Sequence, residues 1–171
     1  MRIETARLVL RPAREGDLDG MHAVLSNPQA MRWWSTPPHD ALDQTREWLG
    51  AMIAGGGPGL DLVIEREGRV IGKVGFYQPP DLGYILHPDH WGQGLATEAL
   101  SAALDRLFAT TDHAQATADI DPDNAASLRL VQKLGFIRTG FAERTWDVGG
   151  EWKDSVYYAL PREAWLARTR P

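Results

Sequence analysis

The chain has 171 residues, a formal charge of −5 and no cysteine, which excludes disulfides and thiolate metal sites and fits a reducing cytoplasm. Its 43% hydrophobic and 24% charged content argues against disorder, and the length predicts one domain over 1–171 that buries about 70% of its unfolded surface. The acidic balance argues against a nucleic-acid partner and tilts mildly toward a cationic one.

Met1-Arg2-Ile3-Glu4-Thr5 lacks the apolar core of a signal peptide, and no uninterrupted apolar run approaches a membrane span. A soluble, cytoplasmic protein with no membrane partner is expected. Arg7 to Arg11 predicts strand one, with Leu8 and Leu10 on one face, and Pro12 ends it. Asp17 is expected to cap a helix that runs to about Ser26 and is closed by Asn27-Pro28. Met31 to His39 is a proline-broken loop whose Trp33 and Trp34 either pack over the helices or line an acceptor pocket. A second helix, started by Asp40 or Asp43, carries Trp48, Leu49, Met52 and Ile53. It stops at the run Gly55 to Gly59, a terminator or hinge rather than a phosphate loop because no strand precedes it.

Leu60 to Glu65 and Val70 to Tyr77 predict a hairpin around Glu67-Gly68, and a further strand runs from Leu82 to Leu86. The helix from about Gly92 to Ala109 buries Leu100, Leu104, Leu107 and Phe108. Ala114 to Ile120 is a strand, and Asp121-Pro122-Asp123-Asn124 turns into a helix from Ser127 to Leu134 that Gly135 stops. Phe136 to Trp146 and Glu151 to Leu160 predict a long hairpin around Val148-Gly149-Gly150, compatible with a homodimer. A short helix after Pro161 is expected to bury Trp165 and Leu166. The element order is α+β with a mixed sheet, hairpins flanking a central strand–helix–strand unit.

Within that unit, Tyr84-Ile85-Leu86-His87-Pro88-Asp89-His90-Trp91-Gly92-Gln93-Gly94-Leu95-Ala96-Thr97 reads as a strand end, a glycine-containing turn and a helix N-terminus. Such a turn exposes unpaired N–H groups at the positive end of a helix dipole and holds phosphate without a basic side chain. The functional reading is a pyrophosphate seat; two glycines also suit a purely structural turn. A dinucleotide loop would need glycine where Thr97 stands, and an ATP-type loop would need a lysine, of which 74–132 has none. Nucleotide hydrolysis is therefore disfavoured.

Trp91 to Ala96, with Leu86-His87-Pro88 before it and Thr97-Glu98-Ala99 after it, resembles the acetyl-CoA motif Gln/Arg-x-x-Gly-x-Gly/Ala of the GNAT N-acetyltransferases. Trp91 in place of the first Gln/Arg resembles the RimJ/RimL-type branch that acetylates ribosomal-protein N-termini, and its relatives. Asp121 to Phe136, with Asn124 near its start and Lys133-Leu134-Gly135-Phe136 at its end, resembles the family's downstream helix, and Thr5 to Arg11 fits its beginning. The resemblance implies a three-layer α/β/α fold: a mixed, mostly antiparallel seven-stranded sheet whose central strands, ending at Leu86 and starting near Gln115, splay apart. It implies acetyl-CoA as cosubstrate and no metal. The cofactor would be held by Ile85, Leu86, His87, the Trp91-Gly92-Gln93-Gly94-Leu95-Ala96-Thr97 run, Asn124 and Ser127, with the pantetheine arm paired to the backbone of Ile85 and Leu86 as a pseudo-strand.

Acyl transfer from a thioester to an amine needs a neutral amine, an oxyanion site and a proton for the departing thiolate. The N–H of Leu86, exposed where the strands part, is the expected polariser of the carbonyl. The tyrosine that many relatives use as general acid aligns with Val131, which has no proton to donate. Ser127, one turn after Asn124, is the expected replacement, its other reading being a solvated helix serine. Asp81 and Tyr84 are the candidate bases, acting through a water. His87, His90 and His113 titrate in the useful range but lack metal-ligand spacing, and Glu143 and Asp147 are candidates to hold a cationic acceptor. The expected function is N-acetylation of a primary amine, a protein N-terminus or a small molecule, by direct attack in a ternary complex. Two other readings are an acyl-CoA-binding sensor without efficient catalysis, kept open by Val131, and a peptide-binding module built on the tryptophan loop.

Overall fold

A computed structural model describes residues 2–55 and 59–168. Its strands are β1 (Ile3–Glu4), β2 (Val9–Arg11), β3 (Asp61–Arg66), β4 (Arg69–Gln78), β5 (Asp81–Leu86), β6 (Gln115–Ile120), β7 (Ile137–Val148) and β8 (Glu151–Pro161). They form one sheet in the order β1-β2-β3-β4-β5-β6-β8-β7. Every pairing is antiparallel except β5 with β6. The sheet has eight strands where seven were expected. The difference is β1, a two-residue edge formed because Thr5 N–H reaches the Leu8 carbonyl at 2.9 Å and turns the chain so that Ile3 lies opposite Leu10.

Helices cover both faces. On one, α1 (Leu18–Leu25), α2 (Pro28–Met31) and α3 (Leu42–Ala54) bury Met21, Leu25, Met31 and Leu49 with Ile85 of β5. On the other, α4 (Leu95–Thr110), α5 (Ala125–Lys133) and α6 (Arg162–Ala167) bury Leu100, Leu104, Val131 and Trp165 with Leu62, Leu82 and Leu86. The alternation of β5, Leu82 and Leu86 to one layer and Ile85 to the other, is the period-two pattern of a strand covered on both sides. Among the described residues no helix is long and apolar enough to cross a membrane.

Local expectations shift where side chains find longer-range partners. Asp17 precedes α1 but does not cap it. Its buried carboxylate accepts from Arg11 Nη1 (2.8 Å) and Nη2 (2.7 Å) and from the Arg14 N–H (2.9 Å), and Arg11 also reaches Glu65 at 2.8 Å. Asn27 starts α2 instead of closing α1, accepting from the N–H groups of Gln29 and Ala30 with Pro28 in the first helical position. At α3 the Gln44 side chain takes the N–H groups of Asp40 (2.7 Å) and Ala41 (3.1 Å), so neither Asp40 nor Asp43 caps it. Of the glycine run, residues 56–58 lie outside the described residues. At α6, Trp165 is buried and Leu166 is exposed, because adjacent helical residues point about 100° apart and a short helix lying on a core buries one of them.

Candidate active site

Among the described residues the one parallel contact in the sheet is a single bridge, Asp81 opposite Thr117. It is reinforced by the Thr117 N–H to the Pro80 carbonyl (2.9 Å) and by the Thr117 hydroxyl donating to the Asp81 carboxylate. Past that bridge β5 and β6 part, and a cleft of about 1110 Å³ opens between them. His87 N–H donates to the Ile71 carbonyl at 2.9 Å, and Ile85 lies opposite Lys73. Because successive residues turn their backbone groups to opposite edges, Ile85 spends its N–H and C=O on β4. Tyr84 and Leu86 face the gap. The backbone that faces the gap is thus that of Tyr84 and Leu86 rather than of Ile85 and Leu86, and the Ile85 side chain is buried in the α1–α3 layer.

After Leu86 a 3-10 turn, Pro88–His90, leads to Gly92 at φ +69° and Gly94 at φ +75°. These left-handed residues hold the chain out of the helix until Leu95, so α4 starts three residues later than expected. The first intrahelical bond runs from the Glu98 N–H to the Gly94 carbonyl (3.1 Å). From Gly92 to Thr97 no N–H meets an acceptor among the described residues. That row of donors at a helix N-terminus suits a diphosphate. The loop itself is fastened from outside. Arg7 Nη1 donates to the Gln93 carbonyl (2.7 Å) and Arg66 Nη1 to Gln93 Oε1 (2.8 Å), while Gln93 Nε2 donates to the Asp89 carbonyl (3.0 Å). The Gln93 side chain is therefore a brace. Glu98, in the first turn of α4, takes the Thr5 hydroxyl (2.6 Å), the Arg7 N–H (2.8 Å) and Arg7 Nε (2.7 Å).

A family sequence model described as acetyltransferase (GNAT) domain matches residues 7–137 of this chain. The chain belongs to the GNAT family. It is similar to the L-amino acid N-acyltransferase MnaT of Escherichia coli, 31% identical with 95% of this chain and 96% of that one covered. Among solved structures, the acetyl transferase from Salmonella typhimurium that modifies the N-terminal serine of ribosomal protein L7/L12 has TM-score 0.82 at 22% identity, covering 94% and 99% of the two chains. Spermidine N-acetyltransferase from Vibrio cholerae, in complex with CoA and spermine, has TM-score 0.76 at 22% identity, covering 95% and 99%. As a GNAT protein the chain is an N-acetyltransferase, for which acetyl-CoA is the usual donor.

In this GNAT cleft two groups proposed from sequence come together on the α4–α5 side. The Tyr84 hydroxyl is buried without a hydrogen-bond partner among the described residues. Burial pushes its pKa up to about 12, and the nearby Ser127 hydroxyl acts the other way. A phenol that keeps its proton that far above neutrality is better suited to donate than to act as the base expected from sequence. Asn124 does the capping work, its Oδ1 accepting from the Ser127 N–H (3.2 Å), and both side chains line the cleft. The His87 ring accepts from the Asp89 N–H (3.4 Å).

The opposite arm of the cleft is aromatic. Trp33, Trp34, Trp48 and Tyr77 line it, with Asp61 and Lys73 paired at 2.5 Å and almost closed to solvent. Burial raises the Asp61 carboxyl above its usual value, and Lys73 opposes the rise. From β7 comes Trp146, whose Nε1 donates to Asp119 (2.9 Å). Glu143 and Asp147 do not line this space, and Asp147 instead accepts the Gly150 N–H (2.8 Å) to close the hairpin turn. Lys73 was detectable in sequence as a charge inside the apolar run Val70 to Phe76. Arg7 and Arg66 carry no such signal, because they act on a residue 86 and 27 positions away.

Proposed function

We propose that this GNAT protein moves the acetyl group of acetyl-CoA directly to a primary amine held beside it, a protein N-terminus or a small molecule, in the cytoplasm. The observation that carries the reading is one continuous surface: the unpaired N–H groups from Gly92 to Thr97 lie at the end of the same cleft that separates β5 from β6. Diphosphate and acyl arm are served together, and the aromatic arm receives the amine from the opposite side. Holding amine and carbonyl together supplies much of the rate. Leu86 N–H polarises the thioester carbonyl. Asp81, through a water, takes the first proton from the acceptor ammonium; the amine nitrogen then bonds to the carbonyl carbon and the C–S bond breaks. Tyr84 and Ser127 deliver a proton to the sulfur and recover it from the nitrogen.

Support for a small-molecule acceptor comes from the resemblance to the amino-acid and spermidine enzymes, and for a protein N-terminus from the ribosomal one. Thiol release from acetyl-CoA across an amine panel, with acetyl-CoA binding by calorimetry, tests the reading; neither binding nor release would sink it. A homodimer would use β7, the sheet edge, where Ile137 and Phe141 are exposed. A monomeric mass in sedimentation would refute that pairing.

A further inference from the structure

The single glycine of β5 has no backbone reason to be glycine. Gly83 lies outside the left-handed region, and a Cβ built on it meets no atom within 4 Å. Its neighbours differ. On β4, a Cβ at Gly75 (φ +147°) would strike the Leu60 carbonyl, and one at Gly72 would strike the Ile85 carbonyl. A strand-interior glycine costs conformational entropy and packing and marks either a bulge or the close approach of another group. The register shift beside Gly83 lies between Gly75 and Gln78, so its extra residue is on β4, and close approach is the reason left on β5 itself.

Gly83 shares a face with Ile85, toward the α1–α3 layer and away from Tyr84 and Leu86. The space above it therefore belongs to the acceptor arm of the cleft, which it lines. Gly83 lies opposite Gly75, and Gly75 opposite Asp61. Over two strand spacings, about 10 Å, the sheet carries no side chain between the parted strands and the Asp61 carboxylate. Trp34, its ring centroid 5.9 Å from Lys73 Nζ, and Trp48 wall this trough. Because Lys73 neutralises Asp61 at the far end, a second ammonium gains little there. A flat apolar body gains contact with bare peptide planes below and indoles at the sides.

We propose that Gly83 is the specificity-determining residue of the acceptor subsite, which takes a primary amine on a flat, mostly apolar body, an aryl-alkylamine lying on the Gly83 backbone with its far end toward Asp61 and Lys73. This rests on the acetyl-transfer reading above. The test titrates 2-phenylethylamine and spermidine into the CoA-bound protein by tryptophan fluorescence and assays both by thiol release. The wild type should favour phenylethylamine by at least about tenfold in kcat/KM. Gly83→Val should raise its dissociation constant about tenfold or more, Gly83→Ala should fall between, and both should hold acetyl-CoA within about twofold of wild type. Unchanged phenylethylamine binding in a folded Gly83→Val, or in Gly83→Ala should the valine variant not fold, overturns the proposal, as does a wild-type preference for spermidine. Gly83-dependent binding without thiol release from any amine would sink the transfer reading and leave the subsite standing.

Discussion

The indole Nε1–H of Trp91 donates to the Leu86 carbonyl across 2.9 Å. The residue that stands where the family motif usually has Gln or Arg thus ties the loop between β5 and α4 to the strand whose Leu86 N–H faces the gap. Loop and strand are held in register by one side-chain bond, and half of the Trp91 surface remains open.

Trp91→Phe keeps the ring and removes the donor. Loss of one such bond is worth about 1 kcal/mol, or about fivefold in affinity. Calorimetry should show that weakening for acetyl-CoA with the thermal midpoint nearly unchanged; wild-type affinity would mean the bond does not position the loop.

Gly94→Val forces a β-branched residue to φ +75°, at a strain of about 1–3 kcal/mol. Its Cβ would also sit 3.5 Å from Arg7 Nη2. The expected result is an acetyl-CoA dissociation constant at least about tenfold higher with the KM for the amine little altered. Equal affinities would remove the diphosphate from this loop.

Tyr84→Phe and Ser127→Ala should each lower kcat by about 10- to 100-fold while leaving acetyl-CoA affinity within about twofold of wild type. Because the Tyr84 phenol holds its proton to about pH 12, wild-type kcat should show no falling limb at the ordinary phenol value of about 10. A limb near pH 10 that disappears in Tyr84→Phe would show the phenol to be solvated.

Stability should fall in acid through two carboxylates. Burial pulls Glu98 upward, but hydrogen bonds from the Thr5 hydroxyl and from the Arg7 side chain and N–H outweigh it and hold the carboxyl below its usual value. At Asp17, burial is likewise outweighed by the bond from Arg11 and the Arg14 N–H. With folded values depressed, the stabilisation is complete above the unfolded values of about 3.9 and 4.3 and is lost as pH falls through the folded ones. Urea midpoints should therefore drop below about pH 4, and Glu98→Gln should lower the midpoint at pH 7 while flattening the acid slope. A Glu98→Gln curve parallel to wild type from pH 7 to about pH 3 would show that the carboxylate is not coupled to folding.

By itself the sequence determined the succession of β2 to β8 and the main helices, and a glycine-containing turn before α4 with unpaired donors at a helix N-terminus. These depend on periodicity and φ preferences that act within a few residues of one another. Even there, caps were misassigned at Asp17, Asn27 and Asp40, since a carboxylate or amide is free to serve either its own helix or a distant partner. That Gly92 and Gly94 are left-handed and delay α4 to Leu95, and that β1 and α2 form, came from the structure. Only the tertiary structure decided that Tyr84 rather than Ile85 faces the gap beside Leu86, that Tyr84 meets Ser127, that Arg7 braces Gln93, and that Gly83, Gly75 and Asp61 form one row. Each of these follows from strand register and sheet order, and a one-residue slip in register would reverse which backbone edge and which side-chain face looks into the cleft.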